Sequence, residues 1–235
     1  MRVTGGFMDK DSTPIINNYV GPSGSGKTFK ALMDMREFDR QIRLDPQPHG
    51  SSDIQKGCEV VRTIPELFQY VNDHQDSGFK ACLYPEDIDL KTAFEWICKI
   101  AITFRRVAIL ADEANQYLDR NPSTAVKAVF FQSRHSQTRL FYTLFDPRFI
   151  PPDMRGNTYN QHIFKSAHQN FKNYIKEAGA SPEVMGKYTS DSLPKYSYVL
   201  IEGSNSPKII SPKTPKKPTK KTTSKKTSAG RRSKN

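Results

Sequence analysis

The chain has 235 residues, enough for one sizeable domain with an appendage, and only 36% of them are hydrophobic. Its net charge of +12 is unevenly placed, because no acid follows Glu202 and eleven Lys and Arg lie from Lys208 onward, leaving a nearly neutral body and a basic tail. No apolar run reaches the length of about 18 residues that a membrane-crossing helix needs, and the opening residues lack the apolar centre of a secretory signal.

Short apolar runs alternate with helix-like segments, the pattern of a parallel sheet covered by crossover helices. "PIINNYV" (residues 14–20) reads as a strand that feeds the glycine-rich stretch "GPSGSGKT", after which a helix is expected from Lys27 to about Phe38. Residues 44–56, rich in Pro, Gly, Ser and Asp, read as a loop. "CEVVRT" reads as a short strand. Thr63 and Glu66 then form a capping-box pattern, with Pro65 in the first turn of a helix carrying Leu67, Phe68 and Val71. "FKACLY" is a further strand, and in "LKTAFEWICKIA" the residues Phe94, Ile97, Cys98 and Ala101 recur at helical spacing. The continuous apolar run "RVAILA" (106–111) predicts a central strand, "RLFYTLF" (139–145) the next, and "YSYVLIE" (196–202) a late one. The three cysteines, Cys58, Cys82 and Cys98, are far apart and show no zinc-site spacing. They read as reduced, buried small hydrophobes in a reducing, intracellular setting.

Gly21-Pro22-Ser23-Gly24-Ser25-Gly26-Lys27-Thr28 satisfies G-x-x-x-x-G-K-[ST], the Walker A pattern. Its glycines let successive backbone N–H groups turn inward on phosphate oxygens, and the following helix N-terminus adds partial positive charge. Lys27 is placed to reach the β- and γ-phosphates of ATP, and the Thr28 hydroxyl to ligate Mg²⁺. Such loops serve kinases, GTPases, helicases and DNA pumps alike. The pattern therefore marks a nucleotide site without naming a class.

The class is narrowed by "RVAILADEANQYL". A buried strand ending in Asp112 sets a carboxylate beside the loop, the Walker B arrangement, where it can hold Mg²⁺ through water or the Thr28 hydroxyl. Glu113 follows directly, and a carboxylate there polarises an attacking water as a general base. A small-molecule kinase has no need of that second acid and wants an acceptor lid instead. At least two strands and two helices fit between the motifs. That implies a strand inserted between the loop strand and the acid strand, as in P-loop ATPases with an additional catalytic glutamate.

From "LADEANQYL" through "QSRHSQTRLFYTLFDPRFIPPDMR" to "NQHIFKS" the chain resembles the HerA/FtsK-type DNA-pumping ATPases. Within that superfamily it is most similar to the viral genome-packaging ATPases and the related phage assembly ATPases of the zonula occludens toxin type, over residues 14–202. The resemblance implies an α/β fold with a RecA-like, mostly parallel sheet flanked by helices, and ATP hydrolysis with Mg²⁺ in a homo-oligomeric ring. It assigns roles to the Arg134-His135 dipeptide, the strand through Phe145, the Asp146-Pro147 turn and Arg148 or Arg155. An arginine from one subunit would stabilise γ-phosphate charge in the next. Arg134 is favoured for that part by its place in the Arg-His pair, and His135 is assigned no chemistry. One departure stands out: Phe145 occupies the position where these ATPases carry a sensor Gln. Either Thr143 supplies that contact or the sensor is absent.

The resemblance and the composition together predict a motor over residues 1–203 and a disordered Lys/Arg-rich tail over residues 204–235. With no aromatic to stack on bases, the tail reads as a non-specific DNA tether, with a solubility tail or an anionic-lipid contact as the other readings. The expected activity is DNA translocation, packaging a viral genome into a preformed capsid with a capsid or vertex protein as partner, at the virion or in the host cytoplasm. Three rivals stand beside it. A phage extrusion ATPase usually carries a membrane anchor where this chain has the basic tail. A small-molecule kinase is disfavoured by Glu113. A nucleotide-switched DNA-binding protein without motor activity is kept open by Phe145.

Overall fold

The structure, a computed structural model, describes residues 16–47, 52–119 and 121–212. The first two residues of the strand expected from Pro14, part of the expected 44–56 loop, and residues 213–235 of the tail lie outside these. The described residues form strands β1 (Ile16–Val20), β2 (Arg40–Leu44), β3 (Glu59–Val61), β4 (Phe79–Leu83), β5 (Ala108–Ala111), β6 (Arg139–Leu144), β7 (Asn160–Phe164), β8 (Tyr198–Glu202) and β9 (Lys208–Ile210). The helices are α1 (Lys27–Met35), α2 (Ser52–Gln55), α3 (Ile64–Asp73), α4 (Leu90–Phe104), α5 (Thr124–Ser136), α6 (Pro152–Arg155), α7 (Gln169–Glu177) and α8 (Pro182–Thr189). Two short 3₁₀ turns lie at Ala114–Gln116 and Pro147–Phe149.

The strands make one sheet in the order β3-β4-β2-β5-β6-β1-β7-β8-β9. Every pairing from β3 to β7 is parallel, while β8 runs antiparallel to both β7 and β9. Alternation along each strand sorts side chains onto two faces. Ile16, Val20, Ile109, Leu140 and Leu144 join residues of α3, α4, α5, α7 and α8 in the larger core. Tyr19, Leu110 and Phe141 join Ala31 and Met35 of α1 and Ile54 of α2 on the opposite face. The result is a three-layer α/β fold, as the alternating runs imply.

Local rules set many of the elements. The capping box is present at α3, where Glu66 N donates to Thr63 Oγ1 at 3.3 Å and the Glu66 carboxylate accepts from Thr63 N. Leu67 and Val71 are buried there, but Phe68 turns outward and packs its ring edge-on against Phe104. Phe94, Ile97, Cys98 and Ala101 of α4 are all buried, and the helix starts at Asp89, whose carboxylate accepts from Thr92 N. Cys82 and Cys98 are buried and Cys58 half-buried, all as free thiols whose pKa burial pushes up.

Other elements depart from the expectations. One strand does separate the loop strand β1 from the acid strand β5, but it is β6, which comes from downstream of both motifs. β2 escapes the apolar pattern because Gln41 and Arg43 are buried within it. Gln41 Nε2 donates to the carbonyls of Met35 (2.9 Å) and Phe38 (2.6 Å), and Arg43 donates to Gln41 Oε1 (2.8 Å) and to the Ile54 carbonyl (2.8 Å). The stretch expected to be a plain loop includes α2, tied in through that arginine. The sheet also continues past residue 203. β9 pairs with β8 through Val199↔Ile209, so the folded unit reaches further than the predicted 1–203 boundary.

Gln41 connects α1, β2 and, through Arg43, α2. Gln41→Ala strands several buried polar partners and is expected to cost about 1–3 kcal/mol of stability. In urea unfolding the midpoint should fall while the slope stays unchanged.

Candidate functional site

β1 ends in the loop from Gly21 to Thr28, which runs into α1. Gly21 N donates to the Leu144 carbonyl at 3.0 Å, which pins the loop's start to the end of β6. Nothing larger than glycine fits there: a Cβ on Gly21 would lie 2.6 Å from Ser25 Oγ and 2.8 Å from Phe164 Cβ. Ser25 N closes a turn onto the Pro22 carbonyl at 3.2 Å, across Ser23 and Gly24. Gly26 has φ +94°, a left-handed backbone that favours glycine, and it starts α1 without any side-chain cap. The first N–H groups of α1 are thus left without a side-chain cap where the loop ends, and such groups are ready partners for an anion. Lys27 is buried at the head of α1.

Alternation along β5 carries Asp112 onto the face of α1. There its carboxylate is buried, and Oδ1 accepts from Thr28 Oγ1 at 2.8 Å and from Thr143 Oγ1 at 2.7 Å. Tyr117 closes the other side by donating its hydroxyl to the Asp112 carbonyl at 2.8 Å. Burial raises the Asp112 pKa above the ordinary carboxylate range, with the Thr143 and Thr28 hydroxyls and the Lys27 ammonium pulling it down and Glu113 pushing it up. Glu113 sits in a left-handed conformation, φ 47° and ψ 42°, uncommon for a residue of its type. Its N–H donates to Thr143 Oγ1 at 2.8 Å, and its half-buried carboxylate accepts from Gln116 Nε2 at 2.5 Å.

Oxygen donors only, one buried carboxylate and one adjacent hydroxyl, suit a hard cation such as Mg²⁺. Among the described residues no cluster of three or more His, Cys, Asp or Glu could hold a metal by itself.

The parts expected from the sequence are brought together unevenly. Gly21, Pro22, Ser23, Gly24, Ser25, Gly26, Lys27, Thr28, Asp112 and Glu113 converge at the C-terminal edge of the sheet. Arg134 does not join them. It lies in α5 two residues before Ser136, whose carbonyl accepts from Arg106 N just ahead of β5, at the opposite edge. Arg148 and Arg155 follow the C-terminal end of β6 and stand on the loop's own side. Arg148 has an exposed side chain and a forked contact to Asp146, with Nη2 2.9 Å and Nε 3.1 Å from its oxygens. Arg155 lies over the Tyr174 ring. His135 is exposed, and its carbonyl accepts from Arg105.

Phe145 lies one residue past β6, exposed, its ring 4.8 Å from that of Phe149. Its N–H donates to Asn115 Oδ1 at 3.4 Å. Thr143 is not free to act as a phosphate sensor, since its single hydroxyl proton goes to Asp112 while its oxygen accepts from Glu113 N. Thr143 instead holds the acid pair in place. Sequence reasoning named this residue for another role, and its register opposite Asp112 is visible only once β6 is set beside β5.

No family model matches the sequence, and no curated protein matches it. Among solved structures it is similar to the genome packaging NTPase B204 from Sulfolobus turreted icosahedral virus 2, in complex with AMP. That match has 16% identity and a TM-score of 0.65, and it covers 87% of this chain and 99% of that one. The chain has the fold of a viral genome-packaging NTPase. B204, the DNA-packaging ATPase from Sulfolobus turreted icosahedral virus, matches at 17% identity and a TM-score of 0.64, over 85% of this chain and 98% of that one. VirB4 of Thermoanaerobacter pseudethanolicus matches at 10% identity and a TM-score of 0.59, over 92% and 93%. The packaging-NTPase fold is the one that the sequence resemblance implied. Among the described residues, no helix of it is long and apolar enough to cross a membrane.

The raised pKa of Asp112 has a thermodynamic sign. The folded chain favours the protonated form, so the ionised carboxylate detracts from stability once the pH exceeds the ordinary carboxylate range. Asp112→Asn is expected to raise the melting temperature of the ligand-free protein at neutral pH. The gain should shrink as the pH falls through the range in which Asp112 takes up its proton.

Proposed function

We propose that the chain binds and hydrolyses ATP with Mg²⁺ and uses turnover to move DNA, packaging a viral genome into a preformed capsid. The observation that carries this reading is the buried Asp112 carboxylate held against the Thr28 hydroxyl at 2.8 Å, with Glu113 directly after it and bound through its N–H to the same Thr143 hydroxyl that holds Asp112. Thr28 and Asp112 would hold the metal, which when bound neutralises charge on the β- and γ-phosphates. Lys27 and the N–H groups of Gly24 to Thr28 bind and orient the phosphate chain. Glu113 takes the proton of the attacking water, and Gln116 orients its carboxylate.

The chain would act as a homo-oligomeric ring, at the virion or in the host cytoplasm, against a capsid or vertex protein. An arginine from the neighbouring subunit would complete each site. Arg134 remains a candidate for that part only across a subunit boundary, because its own site lies at the far edge of the sheet. Arg148 is the second candidate, exposed and held by Asp146. Residues 213–235 would tether the motor to DNA through their positive charge, without sequence preference.

A second reading is favoured by one observation. The Phe145 side chain offers no donor at the sensor position, and Thr143 is committed to the acid pair. Nucleotide would then switch assembly or DNA binding without driving movement.

ATP hydrolysis measured with and without DNA separates the two. DNA should raise turnover, and Glu113→Gln should reduce it by roughly 10²–10⁴-fold while ATP binding survives. A chain ending at Pro212, which keeps β9, should lose DNA stimulation first at higher salt. ATP binding without turnover under every condition would leave the switch, and phosphate appearing on a small acceptor would mean a kinase.

A further inference from the structure

The turn that leads into β8 places an aromatic residue against the phosphate loop. Tyr196 has φ 67°, a left-handed conformation that aromatic residues rarely adopt. No core packing offsets that strain, since the side chain is 50% exposed. Residues held this way cluster at ligand clamps. The ring lies over Gly26, where an added Cβ would sit 3.0 Å from Tyr196 Cδ1 and 3.7 Å from Cε1. The Lys195 ammonium stands 4.9 Å from the ring centroid. A half-exposed aromatic ring, with the Lys195 ammonium over it and its Cδ1 edge toward Gly26, therefore abuts the last glycine of the loop.

The sheet order says which end of a nucleotide reaches it. β1 has β6 on one side and β7 on the other. Asp112 follows β5, one strand beyond β6, and is bound to Thr28, so a metal held by these two residues and the γ-phosphate beside it would lie on that side. Tyr196 precedes β8, one strand beyond β7, and the pairing Phe164↔Tyr198 keeps it at the same C-terminal edge as the loop. A phosphate chain lying along the loop with its γ end toward Asp112 leaves its sugar and base on the β7–β8 side. That is where the Tyr196 ring stands.

We infer that Tyr196 stacks on the base of the bound nucleotide and that the site takes purine nucleoside triphosphates through the face of the base. The inference rests on the reading of the loop as a nucleotide site. Face-on stacking accepts adenine and guanine alike and favours both over the smaller pyrimidines. The ring leaves the loop's grip on phosphate unchanged.

The test compares ATP with inorganic tripolyphosphate, which carries the phosphates and no base, by calorimetric titration of the full chain. Tyr196→Ala should weaken ATP binding by roughly 5- to 150-fold. It should leave tripolyphosphate within about twofold of the parent, and Tyr196→Phe should bind both like the parent. Unchanged ATP affinity in Tyr196→Ala would overturn the assignment. So would a parallel loss of ATP and tripolyphosphate binding, because the ring would then merely support the loop. A parent chain that binds neither ligand sinks the nucleotide site itself, and this inference with it. Tyr196→Trp gives a second readout that does not depend on the alanine variant folding. Its added fluorescence should be quenched by ATP and not by tripolyphosphate, and equal responses to the two would also overturn the proposal.

Discussion

One buried carboxylate organises this molecule. Asp112 accepts two hydroxyl hydrogens on the same oxygen, one from the head of α1 and one from β6, so a single atom ties the helix after the phosphate loop to two neighbouring strands. In a low-dielectric setting such charge-assisted bonds are strong, and each hydroxyl has few alternatives. The same burial outweighs these bonds and the nearby Lys27 ammonium, and it raises the carboxyl's pKa. The two hydroxyls hold the carboxylate from two sides. Thr143 extends this economy to Glu113 by accepting its backbone N–H, so the two acids cannot move independently.

The polar character of the centre continues beneath the loop. β1 carries Asn17 and Asn18 in fully buried positions, where Asn160 Nδ2 donates to Asn17 Oδ1 at 3.0 Å and Asn18 Nδ2 to the Tyr142 hydroxyl at 3.3 Å. His162 on β7 stacks on Tyr19 with ring centroids 4.5 Å apart, and burial lowers its pKa to about 3, so it stays neutral. A slip of one residue between β6, β1 and β7 would unpair these groups, so they hold the ends of β1 and β6 level, and the pairing of β5 with β6 brings the end of β5 beside them. The loop, the acid pair and Thr143 meet because those ends are level.

Several parts were legible in advance for local reasons. The capping box at Thr63, the apolar face of α4 and the fully buried β5 each follow from residues near in sequence. The start of α8 is just as local, with the Ser181 hydroxyl accepting from Val184 N at 3.3 Å, but α8 was not among the expected elements. β2 was not legible, because its buried Gln41 and Arg43 look like surface residues until the carbonyls they satisfy are known. β9 was hidden by composition, since Lys208 and the prolines around it read as tail, while Ile209 packs partly against the core.

The sequence by itself determined the phosphate loop and the acid pair, since both depend on short-range backbone geometry: glycines that permit a tight, left-handed turn, and a carboxylate at the end of a buried strand. Only the tertiary structure decided which hydroxyls hold Asp112, that Arg134 stands at the far edge while Arg148 stands near, and that Tyr196 covers Gly26. Those are contacts between segments far apart in the chain, and they exist because of the strand order β5-β6-β1-β7-β8. Strand order is set by how whole faces pack against one another, and no local stretch of residues encodes it.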